Sequence, residues 1–117
     1  MTKNPEYRDL FPGALEMMIL QSLRLRPMHG YGLVKHIKQV SNDLLQIEEG
    51  SLYPALHRLE DRGWIASFWG TSENNRKARY YRLTGAGRKQ LAAQTTRWEQ
   101  VVRAMARILN PGTGTIG

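Results

Sequence analysis

Cysteine is absent from this 117-residue sequence, and histidine occurs only three times. The first absence excludes a disulfide framework and a thiolate zinc site. Three histidines without cysteine do not make a convincing metal site either, so we expect no metal and no cofactor. Long apolar runs are also missing, since MMIL near the start falls far short of a membrane span. The opening segment MTKNPEYRDL lacks the apolar core of a signal peptide, and we expect a cytoplasmic protein without a membrane partner.

The motifs of common enzyme classes are missing as well. The sequence has no phosphate-cradling glycine loop, no metal-ligand cluster and no serine, histidine and acid at a spacing that indicates a catalytic triad. The TGAG segment at residues 84–87 lacks the context of a nucleotide-binding or dinucleotide-binding loop. We therefore expect that the protein is not an enzyme.

Acidic residues are scarce in the second half of the chain. Between Arg76 and Arg107 there are nine Lys or Arg residues and one acid, Glu99, so this segment has a net charge of +8 against +7 for the whole chain. A basic half beside a nearly neutral half is typical of a protein that binds nucleic acid. The alternative is a solvated basic surface without a partner.

Apolar residues at helical spacing predict two short helices in the first third of the chain. The first covers residues 12–25, with Pro12 in its first turn, and the second begins near Gly30. The segment LLQIEE that follows is short and alternating, and it predicts a small strand.

A third helix is predicted in residues 50–63, GSLYPALHRLEDRG, with its body at residues 51–62. Ser51 is the expected cap, Pro54 is expected in the first turn, and Gly63 is expected to end the helix. Its apolar face consists of Leu52, Ala55, Leu56 and Leu59. Its opposite face collects Tyr53, Pro54, His57, Arg58 and Asp61.

Two aromatic, β-prone runs follow, WIASFWGT and ARYYRLT, joined by the polar segment SENNRK. They predict a two-stranded hairpin with Asn74–Asn75 at its tip. A long helix over residues 86–109 is then predicted, with Thr84 as its N-cap. Its apolar seam follows a heptad pattern and consists of Leu91, Thr95, Trp98, Val102, Met105 and Leu109. Because this helix outruns the earlier three, we expect the seam to meet another subunit.

These elements predict a mainly α protein with a small β-hairpin, a winged helix-turn-helix of three helices and a two-stranded wing, followed by one long helix. Residues 1–83 would form the DNA-binding domain, and residues 84–117 a dimerisation helix with a short flexible tail. An α-helix fits the major groove of DNA, which explains why the polar face of the third helix carries tyrosine, histidine and arginine.

Three segments, MHGYGLVKHI, GSLYPALHRLEDRGWI and RKARYYRLTGAGRKQL, closely resemble the PadR family of bacterial transcriptional regulators. The resemblance covers residues 12–91, and the single C-terminal helix matches the smaller of the two main subgroups. It implies a homodimer, built through the last and first helices, that binds an inverted-repeat operator in double-stranded DNA. It also implies that the protein represses transcription and that a small planar or aromatic effector releases it.

The fold and the resemblance together give the candidate DNA-binding residues. They are Tyr31, Lys35, Ser51, Tyr53, Pro54, His57, Arg58, Arg76, Lys77 and Arg79. Arg58 is the best candidate for a bidentate contact to guanine, and the basic wing would follow the backbone or enter the minor groove. The alternatives are a solvated helix face and a mobile charged loop. A competing function is a winged-helix module for nonspecific nucleic-acid binding or for protein–protein interaction.

The resemblance also gives the candidate dimer and effector residues. The dimer interface would include Leu91, Trp98, Val102, Met105 and Leu109. Met18 and Trp98 would line a cavity for the effector at this interface. The alternative for Trp98 is plain packing in the interface core.

Overall fold

The computed structural model describes residues 13–112 of the chain. Its elements in chain order are α1 (Ala14–Leu25), β1 (Met28–His29), α2 (Gly30–Val40), α3 (Glu49–Asp61), β2 (Ile65–Thr71), β3 (Lys77–Leu83) and α4 (Gly85–Leu109). This order confirms the predicted winged helix-turn-helix followed by one long helix. Pro12, which we predicted in the first turn of α1, lies outside the described residues.

The wing is a three-stranded antiparallel sheet in the order β1-β3-β2, not the predicted two-stranded hairpin. β2 and β3 pair along all seven residues of each strand. β1 adds only Met28 opposite Tyr81 and His29 opposite Tyr80. Two residues are too few to show an alternating pattern, so the sequence did not indicate this strand. The tip is where we predicted it, with Asn75 in the left-handed region at a φ of 60° that asparagine tolerates.

The start of α3 differs from the prediction. Residues 45–48 have no regular structure and Glu49 already begins the helix, so the predicted strand in LLQIEE is wrong: its alternation has no partner strand among the described residues. The predicted Ser51 cap is also wrong, because Ser51 lies inside the first turn. Pro54 consequently falls in the second turn, where it cannot donate to the exposed Gly50 carbonyl.

Two predicted helix boundaries are confirmed. Gly63 has a φ of +78°, and the Trp64 N–H donates to the Leu59 carbonyl at 3.0 Å, which closes α3 with a Schellman-type turn. Thr84 caps α4, because its Oγ1 accepts a hydrogen bond from the Gly87 N–H at 3.0 Å. The same hydroxyl donates to the Gly63 carbonyl at 2.7 Å and joins the end of one helix to the start of the next.

The core lies between the three short helices and the sheet. Its fully buried large side chains are Ile19, Leu20, Leu33, Leu52, Leu56, Leu59 and Ile65. α1 packs against α2, α3 and α4, and Leu91 anchors α4 in this core. α4 has 25 residues and is therefore about 37 Å long, so its second half extends beyond the core. Within residues 13–112, none of the helices is both long and apolar enough to cross a membrane.

Candidate nucleic-acid interface

The polar face of α3 is exposed. Leu52, Ala55, Leu56 and Leu59 point into the core, while Tyr53, Pro54, His57 and Arg58 lie at the surface. Tyr53 is 42% exposed even though its ring packs closely against Gly30 at the start of α2. Ser51 is half-buried. The periodicity of the sequence therefore indicated correctly which side of α3 faces solvent.

A cleft of about 410 Å³ lies between this face, the start of α2 and the wing. Its lining includes five of the ten predicted DNA-binding residues, namely Tyr31, Tyr53, Arg76, Lys77 and Arg79. Glu73 at the wing tip is the acid in this lining. Three cations against one carboxylate give the cleft the charge that a phosphate backbone requires.

The amino end of α2 forms the floor of the cleft. His29 precedes the helix and its Nδ1 accepts a hydrogen bond from the Gly32 N–H at 3.0 Å. Gly30 lets the Tyr53 ring approach closely: a Cβ at position 30 would lie 2.9 Å from Tyr53 Cζ and would overlap the phenol oxygen. Tyr31 is 61% exposed, and the Lys35 Nζ lies 5.6 Å from its ring centroid. The positive end of the helix dipole, a phenol and an ammonium together suit the binding of a phosphate.

Gly30→Ala is expected to push the Tyr53 phenol away from this helix end and to weaken binding to DNA about fivefold, the effect of losing roughly 1 kcal/mol. Stability should change little, because the clash is with the outer end of a half-exposed side chain. Gly32→Ala is the matched control, since a Cβ there meets ordinary van der Waals neighbours at 3.4 Å or more. Equal DNA affinities of the two variants, measured by fluorescence anisotropy, would contradict a contact between Tyr53 and DNA.

Arg79 is held within the wing. Its Nη2 donates to Ser67 Oγ at 2.9 Å and lies 3.5 Å from Glu60 Oε2. The Ser67 hydroxyl donates to the same Glu60 oxygen at 2.7 Å. This network connects the last turns of α3 to both long strands. It gives Arg79 a structural function beside any contact with DNA, and it fixes the wing relative to α3.

Glu60 and Ser67 were not among the sequence-predicted site residues. They are 7 residues apart and meet Arg79, 12 residues further on, only once the hairpin packs against α3. Close by, burial raises the pKa of the Tyr81 phenol above its usual value, which Arg79 opposes and Glu60 reinforces. Tyr81 therefore remains a neutral hydrogen-bonding group near pH 7. Among residues 13–112, no group of three or more His, Asp or Glu side chains is arranged to hold a metal ion.

Arg58 is not a free side chain on the surface of α3. Its Nε and Nη2 both donate to Oε2 of Glu16 on α1, at 3.0 and 2.8 Å. The arginine side chain is 49% exposed and the glutamate only 14%. No local pattern in the sequence indicates this ion pair, because the two residues are 42 positions apart.

The predicted dimer residues of α4 divide into two groups. Leu91 is 5% exposed and belongs to the core of its own subunit, whereas Val102, Met105 and Leu109 are between 45% and 71% exposed. The apolar surface also includes two residues that the heptad seam did not contain, Val101 and Ile108. Met18 on α1 and Trp98 on α4 are both half-buried.

Comparison with known proteins gives a consistent result. The transcriptional regulator PadR-like family matches residues 19–93. A transcriptional regulator of Mycobacterium tuberculosis is 31% identical over 96 residues, which cover 82% of this chain and 86% of that protein. A transcriptional regulator structure from Clostridium thermocellum superposes with a TM-score of 0.77 at 31% identity, covering 85% of this chain and 96% of the other.

A PadR family regulator from Eggerthella lenta superposes with a TM-score of 0.74 at 32% identity, with 89% and 88% of the two chains covered. The family match extends over more than half of the chain and includes α2, α3 and the wing, the elements that surround the cleft. The chain therefore belongs to the PadR-like family, which consists of DNA-binding transcriptional regulators and not of enzymes.

Proposed function

We propose that the protein acts in the cytoplasm as a homodimeric repressor that binds an inverted-repeat operator sequence-specifically. A small planar or aromatic effector would release it from DNA. α3 would enter the major groove, and the wing would lie along the backbone or in the minor groove. Residues 1–83 would form the DNA-binding domain, and residues 84–117 would supply the dimerisation helix and a short tail.

The observation that carries this proposal is the cleft between α3, the start of α2 and the wing. Tyr53 of α3, the amino end of α2 and three wing cations line it, in a chain with a net charge of +7. A helix of this kind supplies base contacts, while the helix end and the wing supply phosphate contacts on either side. A pure protein-interaction module has no need of this combination.

The dimer is supported by the exposed apolar side chains along α4. Val102 and Met105 lie near the middle of this surface, and Leu109 lies at its end. A second copy packed on the same surface by two-fold symmetry would cover them and would present two α3 helices, which suit two half-sites of an inverted repeat. Met18 and Trp98, which are both half-buried, would line an effector cavity at this interface. Plain packing of Trp98 remains the alternative.

The function is tested by selecting duplexes from a random pool with the wild-type protein. Fluorescence anisotropy at physiological salt would then compare the selected duplex with a shuffled version. A preference of about 1,000-fold for a palindromic sequence supports the proposal. Equal and salt-sensitive binding to both duplexes would indicate a nonspecific nucleic-acid binder, and no binding to either would favour protein interaction. Release of the selected duplex by planar aromatic compounds tests the effector.

The double variant Arg76→Gln with Lys77→Gln is expected to weaken binding to selected and shuffled duplexes by the same factor. The slope of log K against log salt should become less steep by roughly 2, because two phosphate contacts disappear. Arg103→Gln with Arg107→Gln removes two exposed cations from α4 and should leave the slope unchanged. A wing variant with the wild-type slope would exclude the wing from the interface.

A further inference from the structure

Glu16 and Arg58 form a contact between α1 and the exposed face of α3. Arg58 uses one edge of its guanidinium, Nε and Nη2, and both groups donate to a single carboxylate oxygen. Glu16 is largely buried on α1, which packs against α3 and the rest of the core. The arginine is thus attached to a rigid element and not to another surface side chain.

This geometry leaves part of the guanidinium available. An arginine has five N–H donors, and Glu16 accepts from two of them. Of the other three donors, one N–H of Nη1 and the second N–H of Nη2 form the outer edge. Within residues 13–112 that edge has no recorded partner, and half of the side chain is exposed. The outer edge has the fork geometry that matches the O6 and N7 acceptors of guanine.

We propose that Glu16 is a positioning residue for DNA specificity, which holds Arg58 so that its outer guanidinium edge meets a base. An arginine that is already ordered loses less conformational entropy on binding than a free one. It also points in one direction, and therefore discriminates better between a base edge and a nearby phosphate. This inference rests on the proposed function, because it needs an operator to discriminate.

The test is a double-mutant cycle with Glu16→Gln, Arg58→Ala and the double variant. Each protein binds the duplex selected by the wild type and its shuffled version. Glu16→Gln keeps the size of the side chain but weakens its hold on the guanidinium, and it is expected to cost roughly fivefold to tenfold in affinity for the selected duplex. In the Arg58→Ala background the same change should cost less than about twofold, since no guanidinium remains to be positioned.

The affinity for shuffled DNA distinguishes positioning of Arg58 from a general change in affinity for all DNA. Glu16→Gln should leave it nearly unchanged, so the preference for the selected duplex falls. Glu99→Gln removes a carboxylate from the exposed side of α4 and controls for the change in net charge. Thermal unfolding of each variant verifies that the fold is intact.

Three results would overturn the inference. They are equal losses from Glu16→Gln in both backgrounds, an unchanged preference, and a gain in affinity on removal of the carboxylate. If Glu16→Gln does not fold, Arg58→Lys replaces it, because lysine keeps the charge but lacks the fork. A lysine variant with full sequence preference would equally contradict the inference. A wild-type protein without any preferred duplex would refute the proposed function, and this inference with it.

Discussion

Val102→Glu is expected to convert the proposed dimer into a monomer and to weaken binding to the selected duplex by about 100-fold or more. The Val102 side chain is 46% exposed within one subunit and lies in the middle of the apolar surface of α4. In a two-fold dimer the substitution would bury two carboxylates, one from each subunit, without a partner. In a dimer, binding of one subunit raises the local concentration of the other subunit at the second half-site, and a monomer loses this gain in affinity.

Gln100→Glu is the matched control for this prediction. It adds the same charge two residues away on an exposed position that lies outside the predicted seam. Its mass and operator affinity should equal those of the wild type. The masses would be measured by light scattering coupled to gel filtration, and the affinities by anisotropy. If Val102→Glu remained a dimer with full affinity, the apolar surface of α4 would not be the interface.

Gly87→Ala is expected to destabilise the fold by about 2–3 kcal/mol, which is a large fraction of the stability of a small domain. A Cβ at this position would overlap the Trp64 carbonyl and would lie 2.7 Å from Leu83 Cδ1. The carbonyl belongs to the backbone at the start of the sheet, and it cannot rotate away as a side chain end can. α4 would have to tilt, and the Thr84 cap would be strained with it.

Gly85, the other glycine of the same helical turn, provides the control. A Cβ at Gly85 has no neighbour within 4 Å, so Gly85→Ala should change the free energy of unfolding by less than about 0.5 kcal/mol. Urea unfolding followed by circular dichroism measures both variants. Equal midpoints would mean that the start of α4 is more adaptable than its close approach to Trp64 indicates.

The sequence predicted the elements whose signals are local. Gly63 ends α3 because a left-handed residue is needed there, and Thr84 begins α4 because its hydroxyl accepts from an N–H three residues on. The apolar period of α3 separated its buried from its exposed residues. These features depend on neighbours within one helical turn, which a sequence shows directly.

The features that the sequence did not reveal depend on distant partners. Strand β1 exists only because Tyr80 and Tyr81 lie beside it, and LLQIEE alternates without any such neighbour among residues 13–112. Periodicity indicated that Arg58 is exposed, but not that it reaches Glu16 across the fold. The network of Glu60 with the wing likewise needs the packed hairpin. The exposure of the α3 side chains was therefore predictable, and their contacts with distant residues were not.

The short first strand leaves one side of β3 open. In the part of the chain that the structure describes, β1 covers only Tyr80 and Tyr81, so the backbone from Lys77 to Arg79 has a neighbouring strand on the β2 side alone. An open edge of this kind can join the sheet of another molecule and start aggregation. Here the edge carries Lys77 and Arg79, with Arg76 adjoining at the turn, and two such edges repel each other. The positive charges that suit the wing to a polyanion therefore also prevent edge-to-edge aggregation between copies of the protein. Neutralising them to improve expression would lower its solubility.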